Sequence, residues 1–315
     1  VYFEEGYVAA RVYLPAQQIK ESRKLILSVD EGVVTQLIAT PRAQNTISIK
    51  TAAPFLVKKP LNLRDLEQAL DQFNRLQSNN VTMQIQPGSG VGESVVVFDN
   101  EPTKRFSGYF SYDNKGQDIT GRQQASVGVS IDNIFGLNDL LSLSYNRSLP
   151  FEKEKKDSEA LSAFYVVPFG YHTASLSASH SNYDTTIITP FQALHSTGET
   201  ESYSLKVDSL IYRDRLTQLR TNVGLTTKEN KAYLEDVLLG VSSRKLTVAE
   251  VGLSYNTNID NHFLNTYINY QKGLSSLNAL KDEQNLDKEF PKAQFDKFLY
   301  GISYVKPFEL AKQRL

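Results

Sequence analysis

Between residues 105 and 305, about ten segments alternate apolar and polar side chains one for one. The clearest are 125–131, 174–179 and 219–225. A period of two places successive side chains on opposite faces of an extended chain, so each segment predicts a β-strand with one apolar and one polar face. This region therefore predicts a large sheet whose two faces meet different environments.

The connectors between these segments are alternately short and long. The tight connectors are 132–139, 168–172, 212–215 and 258–262. The long polar connectors are 148–159, 183–201, 228–245 and 274–294. Short turns at one end and long loops at the other are typical of a transmembrane β-barrel, and parity makes the long connectors extracellular. A water-soluble β-sandwich, whose strands also alternate, is the alternative.

The composition limits the chemistry available to the chain. It has 315 residues, no cysteine and a net charge of -1, so disulfides, thiolate metal sites and an electrostatic footprint for nucleic acid are excluded. The mean hydropathy is -0.35, and no apolar run approaches the ~20 residues of a spanning helix. The four histidines are scattered along the chain. We expect no catalytic site, no metal and no cofactor.

The first hundred residues predict a compact α+β unit. The pattern indicates a strand at 33–38, a short helix within 45–55 and a helix of period 3.6 at 63–76 that Asn62 caps. Strands at 81–85 and 94–98 follow. Upstream, 6–14 and 23–29 resemble the last two strands of an identical unit. We expect the chain to begin inside an earlier copy, with its true N-terminus missing.

Several motifs carry a resemblance to a known family. The runs 6–8, 14–17, 29–32, 61–68 and 71–76 are similar to the tandem POTRA domains of two-partner secretion transporters. The most specific is Leu-Asn-Leu-Arg-Asp-Leu-Glu-Gln at 61–68. The segments 132–145 and 168–171 resemble the start of the barrel in the same family. These transporters form the TpsB family of the Omp85 superfamily.

The resemblance implies POTRA domains in the periplasm followed by an antiparallel transmembrane β-barrel in the bacterial outer membrane. It divides the chain into the end of a first POTRA domain at 1–32, a second at 33–99 and the first part of the barrel at 100–315. About ten of about sixteen barrel strands are present, and the family's Arg-Gly-Tyr/Phe lid motif is not found. We therefore expect a piece of a larger protein.

The resemblance also implies a function: export of one large exoprotein, namely an adhesin, a haemolysin or a contact-dependent inhibition toxin. Outer-membrane lipids are the other partner, and no nucleic acid or cofactor is expected. A general outer-membrane assembly factor of the Omp85 superfamily is the first alternative, against which the specific run 62–68 argues. A plain porin or adhesin barrel is the second, which the α+β units disfavour.

Two groups of residues are candidates for the site. Polar faces of the strands predict a hydrated lumen, lined by Ser126, Gly128, Ser130, Ser175, Ser177, Ser179, Arg220, Asn222, Asn265 and Asn269. The strand 81–86 predicts a free edge where an extended client segment adds as a further strand. The client-binding candidates are Val81, Thr82, Met83, Gln84 and Ile85 on the strand and Arg64, Asn74 and Arg75 on the polar side of the neighbouring helix. We expect Val81, Met83 and Ile85 to face inward and Thr82 and Gln84 to supply the free backbone donors.

Overall fold

The structure is a computed structural model that describes residues 2–17, 24–149, 156–260, 262–283, 289–307, 309–310 and 313–314. It contains a small α+β unit near the N-terminus and a large antiparallel sheet that takes up most of the remaining chain. No helix among these residues is long and apolar enough to cross a membrane.

The α+β unit has the predicted order of strand, helix, helix, strand, strand. Its elements are β3 (Val33–Ala39), α1 (Ile49–Ala52), α2 (Leu63–Asn74), β4 (Val81–Pro87) and β5 (Glu93–Asn100). Strand β5 lies in the centre of a three-stranded sheet, parallel to β3 and antiparallel to β4. Strand β4 is therefore an edge of this sheet, as predicted.

Helix α2 holds the unit together because its apolar face covers the sheet. Phe73 of α2 and Phe98 of β5 are both fully buried, and their rings meet edge to face at 5.2 Å. Burying one such side chain stabilises a fold by about 1.5–3 kcal/mol. The predicted cap is confirmed, since the backbone N–H of Arg64 donates to Oδ1 of Asn62 at 2.8 Å.

Upstream of this unit, two short strands pair antiparallel, β1 (Arg11–Tyr13) and β2 (Ser28–Asp30). They are shorter than the predicted strands 6–14 and 23–29, and residues 18–23 lie outside the described part of the chain. The segment before β1 contacts the start of α2, where the carbonyl of Gly6 accepts from the N–H of Leu63 at 2.8 Å.

The large sheet is a meander in which each strand pairs with its neighbours in sequence. Its strands are β6 (Phe106–Asp113), β7 (Gln124–Asp132), β8 (Leu140–Ser148), β9 (Lys156–Phe169), β10 (His172–Ile188), β11 (Ala193–Arg213), β12 (Thr217–Leu234), β13 (Val237–Leu238), β14 (Arg244–Ile259), β15 (His262–Leu274) and β16 (Asp296–Val305). The short β13 pairs only with the end of β12. Two short strands, β17 (Glu309–Leu310) and β18 (Gln313–Arg314), form a separate pair. The predicted order of an α+β unit followed by a large antiparallel sheet is confirmed.

The four predicted tight connectors are confirmed, but two of the predicted long loops are wrong. The segment 183–201 continues strands β10 and β11, which only residues 189–192 connect. The segment 228–245 likewise continues β12 as far as Leu234 and begins β14 at Arg244. These strands run past the apolar part of the sheet into a region where both faces are polar. The apolar–polar alternation stops there although the backbone ladder continues.

Candidate functional site

All ten residues predicted to line the lumen lie on one face of the large sheet. Registers across the strands place them there: Ser130 lies opposite Ser142, Ser179 opposite Ser162, and Asn256 opposite Asn265. The interior position of this face stays a prediction, but the shared face is a property of the structure.

Side-chain hydrogen bonds connect this polar face across neighbouring strands. The hydroxyls of Ser130 and Ser142 are 2.8 Å apart, and Asn146 donates to the hydroxyl of Ser126 at 2.6 Å. Further along the sheet, Asn222 donates to Glu250 at 3.4 Å. Lys206 lies 3.8 Å from the same carboxylate. Serine, asparagine and charged side chains thus bond one another across this face, and the rings of Phe164 and Tyr267 lie among them.

The opposite face is apolar over a band and then changes to charge on each of the eight long strands from β8 to β16, the short β13 being the exception. On β10 the change comes between Ala178 and His180, and on β11 between Tyr203 and Glu201. The residues that begin the charged region, called here the charged belt, are Arg147, Glu159, His180, Glu201, Glu229, Lys245, Lys272 and Asp296. An apolar band that ends in charged residues is typical of the lipid-facing surface of a transmembrane barrel.

Strand β4 presents a free edge, and the hydrogen-bond pattern identifies which residues face it. Gly88 donates to the carbonyl of Glu93 at 2.8 Å, and Glu101 donates to the carbonyl of Asn80. Even-numbered residues of β4 thus pair with β5, and odd-numbered residues point their backbone groups away from it. The free donors belong to Met83 and Ile85, so the assignment of that role to Thr82 and Gln84 is wrong.

The inward positions of this strand also differ from expectation in one place. Val81 is 3% exposed and Met83 packs against the core, but Ile85 is 40% exposed and lies outside the core cluster. Pro87 also occupies an odd-numbered position of β4. Proline has no N–H, and it is tolerated there because the backbone at odd positions does not bond β5. Within the described residues, β5 is the only strand that pairs with β4.

The three helix candidates are engaged within the chain itself. Both amide atoms of the Asn74 side chain bond the backbone of Val81, at 2.7 and 2.9 Å. Arg64 donates to Glu67 at 2.6 Å. Arg75 donates to the carbonyl of Asn138 at 2.8 Å. These contacts give all three residues structural roles, and their part in client binding stays a prediction.

Arg75 belongs to a buried contact between α2 and the first turn of the large sheet. Asp132 and Asp139 border it on the sheet side, and the partly buried position lowers the pKa of Arg75 although both carboxylates act to raise it. Asn138, fully buried, donates to the carbonyl of Ser48 at 2.7 Å and accepts from its N–H at 2.9 Å. The two units are therefore joined by direct hydrogen bonds between buried polar groups.

Two further turns dock on α2, and sequence reasoning missed the residues that hold them. Gln68 and Gln72 both donate to the carbonyl of Gly170, at 3.3 and 2.9 Å. The phenol of Tyr171 donates to Asp65; burial and then this hydrogen bond raise the pKa of Tyr171.

The third turn contributes Arg213, which lies 2.5 Å from Asp71 and 3.4 Å from Glu67. Gln68 and Gln72 are buried polar side chains on a helix. Because buried polar groups need hydrogen-bond partners, such residues indicate that another part of the protein packs on this face, but they do not identify which part.

One group of potential metal ligands comes together on the charged belt. The ligand atoms of His180, Glu199 and Glu201 lie within 4.8 Å of one another on β10 and β11. His180 and Glu201 already form a pair at 3.7 Å, and all three side chains are partly exposed. Pairs of this kind are common on solvated sheet faces, so we assign the group no ion.

Comparisons with known proteins agree with this geometry. The family described as haemolysin secretion/activation protein ShlB/FhaC/HecB matches residues 92–315, and the POTRA domain family matches residues 34–87. The chain is 32% identical over 306 residues to the outer membrane transporter CdiB of Dickeya dadantii, covering 97% of this chain and 54% of that protein. It is 34% identical over 297 residues to the hemolysin transporter protein ShlB of Serratia marcescens, covering 93% and 52%.

A solved structure of CdiB from Escherichia coli superimposes with a TM-score of 0.88 at 31% identity, over 96% of this chain and 56% of that one. The chain spans about half the length of the curated relatives it matches. The match to the family model covers more than half of the chain, and a POTRA unit with a free edge precedes the two-faced sheet. The chain therefore belongs to the haemolysin secretion/activation family ShlB/FhaC/HecB.

Proposed function

We propose that this chain is part of an outer-membrane transporter that recognises one large exoprotein in the periplasm and secretes it unfolded through the barrel. The client is an adhesin, a haemolysin or a contact-dependent inhibition toxin. The relatives named outer membrane transporter and hemolysin transporter protein support this proposal. The division into a first POTRA end at 1–32, a second POTRA domain at 33–99 and barrel at 100–315 is part of it.

The observation that carries the proposal is the position of the free β4 edge on a unit fixed to the sheet. An extended client strand adding to β4 gains main-chain hydrogen bonds from Met83 and Ile85, and alternate side chains set its register. Because α2 contacts three turns at one end of the barrel sheet, the captured segment is held at a constant place relative to the pore entrance.

The polar face then gives the passing chain a surface on which it slides. Serine and asparagine side chains offer weak, exchangeable hydrogen bonds and little apolar area, so an unfolded segment finds no deep binding site along the way. Many of these groups already bond each other, as Ser144 and Ser162 do at 2.6 Å. The proposal includes no catalytic step. Folding of the client outside the cell provides the free energy for its export.

Replacing Ile85 with proline in the full-length transporter tests the capture step. Ile85→Pro removes a donor from the free edge and leaves the ladder with β5 intact, so we expect secretion of the exoprotein to fall at least tenfold while the barrel still inserts. Ile85→Ala keeps the donor and is the matched control, which should secrete nearly normally.

A second variant separates a folding defect from a recognition defect. Gln84→Pro removes a ladder donor to β5 and should destabilise the POTRA unit, visible as increased protease sensitivity of the periplasmic part. Wild-type export by Ile85→Pro would exclude strand addition at this edge, and recognition would then move to another surface of the POTRA unit.

A further inference from the structure

The segment between α1 and α2 brings the α+β unit to the apolar face of the large sheet. Phe169, the last residue of β9, lies on that face with Leu161 and Tyr165, because every second residue of a strand shares a face. The rings of Phe55 and Phe169 meet edge to face at 5.6 Å. Phe55 also reaches the turn itself, since a β carbon added to Gly170 would be 3.9 Å from its ring. A side chain of the α+β unit therefore extends the apolar face at the turn end of β9.

The side chains at this position are apolar and accessible. Phe55 and Phe169 are both 49% exposed, and Val57, two residues after Phe55, is 43% exposed. Leu56 lies between Phe55 and Val57 and is buried in the core of the unit, so it anchors the segment. Exposed apolar side chains that continue the apolar band of a barrel indicate contact with lipid.

The apolar face of β9 alone is short for a membrane-spanning strand. It runs from Leu161, which follows the charged Glu159 on the same face, to Phe169 at the turn. Eight residue steps of about 3.4 Å at the usual tilt of about 40° cover about 21 Å, whereas the apolar band of an outer-membrane barrel is about 25 Å tall. Since charge begins at the other end of the strand, the missing apolar surface belongs at the turn end, where Phe55 lies.

Positive charge follows these apolar residues directly. Lys58 and Lys59 come after Val57, Lys50 lies on α1, and all three lysines are exposed. Within the part of the chain that the structure describes, none of these lysines forms an ion pair. An exposed ammonium group without a carboxylate partner is available to the phosphate of an anionic phospholipid.

The first two carboxylates after this segment are already engaged. Asp65 accepts a hydrogen bond from the phenol of Tyr171. Glu67 accepts from Arg64 at 2.6 Å and lies 3.4 Å from Arg213. Neither carboxylate therefore compensates the charge of the lysines. Exposed apolar side chains beside uncompensated positive charge fit the interface of an anionic membrane.

We propose that the segment 53–59 enters the inner leaflet of the outer membrane. Phe55 and Val57 lie among the upper acyl groups, and Lys58 and Lys59 contact the phosphates of anionic phospholipids. The inference rests on the proposed outer-membrane location, in which the tight turns are at the periplasmic side. The contact makes the α+β unit part of the membrane-facing surface as well as a receptor below the pore.

This contact also orients the client-binding edge. Val34 of β3 donates to the carbonyl of Lys59 at 3.0 Å and accepts from the N–H of Lys58 at 2.7 Å, so the segment is bonded to β3. Strands β3 and β4 are the two opposite edges of the three-stranded sheet. A lipid contact beside β3 therefore leaves the free edge of β4 on the opposite side of the unit, where a client strand has access to it.

A fluorescent label on the segment tests the proposal in the full-length transporter, in a background with no other cysteine. Val57→Cys carries a nitrobenzoxadiazole label, and Gln86→Cys, an exposed position on β4, carries the same label as the matched control. In vesicles of equal parts phosphatidylcholine and phosphatidylglycerol, a nitroxide on the upper acyl chain should reduce emission from position 57 at least twofold and leave position 86 nearly unchanged. Equal quenching at the two positions, or none at position 57, would overturn the proposal.

The same measurement tests the lysines. Vesicles of phosphatidylcholine alone should reduce the quenching at position 57 at least twofold. The double variant Lys58→Gln with Lys59→Gln should give the same weak quenching in both kinds of vesicle. Lys115→Gln, at the opposite ends of the strands, is the control and should keep the dependence on phosphatidylglycerol. Quenching that is independent of phosphatidylglycerol in the unsubstituted segment would contradict the contact with anionic lipid.

The assay contains no exoprotein, so its result does not depend on secretion. Absent quenching in a transporter that exports its client would reject the lipid contact and leave the transport function standing. Strong quenching in a transporter that exports nothing would support the lipid contact and count against the transport function alone.

Discussion

The ring of Tyr109 on β6 lies across Gly128 on β7, directly opposite it in the ladder, and leaves no room there for a β carbon. The same arrangement recurs where Tyr183 covers Gly198 and Tyr267 covers Gly301. All three pairs lie on the polar face of the sheet. An aromatic ring over a glycine fills the space of a missing side chain and fixes the register of two strands. Gly128 is therefore covered by Tyr109. At this position we expect the tyrosine ring, and not Gly128, to line the predicted lumen.

Gly128→Ala should destabilise the barrel because the added methyl displaces the Tyr109 ring. Forcing extra volume into a packed site costs about 1–3 kcal/mol, which lowers the temperature at which the barrel unfolds in detergent gels. Gly224→Ala is the matched control, since the nearest atom to its new β carbon would be 3.6 Å away. The double variant Tyr109→Ala with Gly128→Ala should recover part of the loss. Equal unfolding temperatures for the two single variants would contradict the packing argument.

The two faces of β7 should respond oppositely to charge. Val127 is on the apolar face and 47% exposed, so Val127→Arg places a charge in lipid at a cost of about 2–4 kcal/mol near the midplane. Its yield in the outer membrane should fall. Ser126→Arg points into the polar face and should assemble, with altered conductance as its only effect. Equal yields would mean that the register is shifted by one residue, which exchanges the faces.

Contacts between α2 and the turns should matter for the rigidity of the periplasmic unit. Arg213 is 13% exposed and bonds Asp71 and Gln68, so Arg213→Met removes charge-assisted hydrogen bonds, each worth about 1.5–3 kcal/mol. We expect faster protease cleavage in the linker at 101–105 and reduced secretion. Arg215 in the same turn is exposed, and Arg215→Met is the control. Identical cleavage rates would show that the contact does not hold the two units together.

The sequence predicted the two-faced strands, the tight turns and the α+β order because each depends on local periodicity or local turn chemistry. The extension of β10 and β11 beyond the membrane band escaped prediction, since both faces of those segments meet water and the alternation disappears. The docking role of Gln72 also escaped, because its partner Gly170 lies far away in sequence. The side-chain pattern of β4 does not determine which backbone N–H groups point to the free edge. Only the hydrogen-bond ladder with β5 shows this.

The last prediction concerns the orientation of the barrel in the outer membrane. The α+β unit contacts the tight turns, so these turns lie in the periplasm and the connectors at the opposite ends of the strands lie outside the cell. Because the chain has no cysteine, single cysteines report position directly. Phe191→Cys and Val241→Cys, at residues 96% and 85% exposed in two of these outer connectors, should react with an impermeant maleimide on intact cells.

Phe135→Cys in the first turn is the matched control for that measurement. Phe135 is also exposed, at 68%, so its thiol is accessible but should react only after the outer membrane is permeabilised. The longer connectors at Lys155 and Lys288 should label like Phe191, although both positions lie outside the described residues. Labelling of Phe135→Cys alone on intact cells would invert the barrel and place the POTRA unit outside. The three docked turns make that arrangement incompatible with a periplasmic receptor.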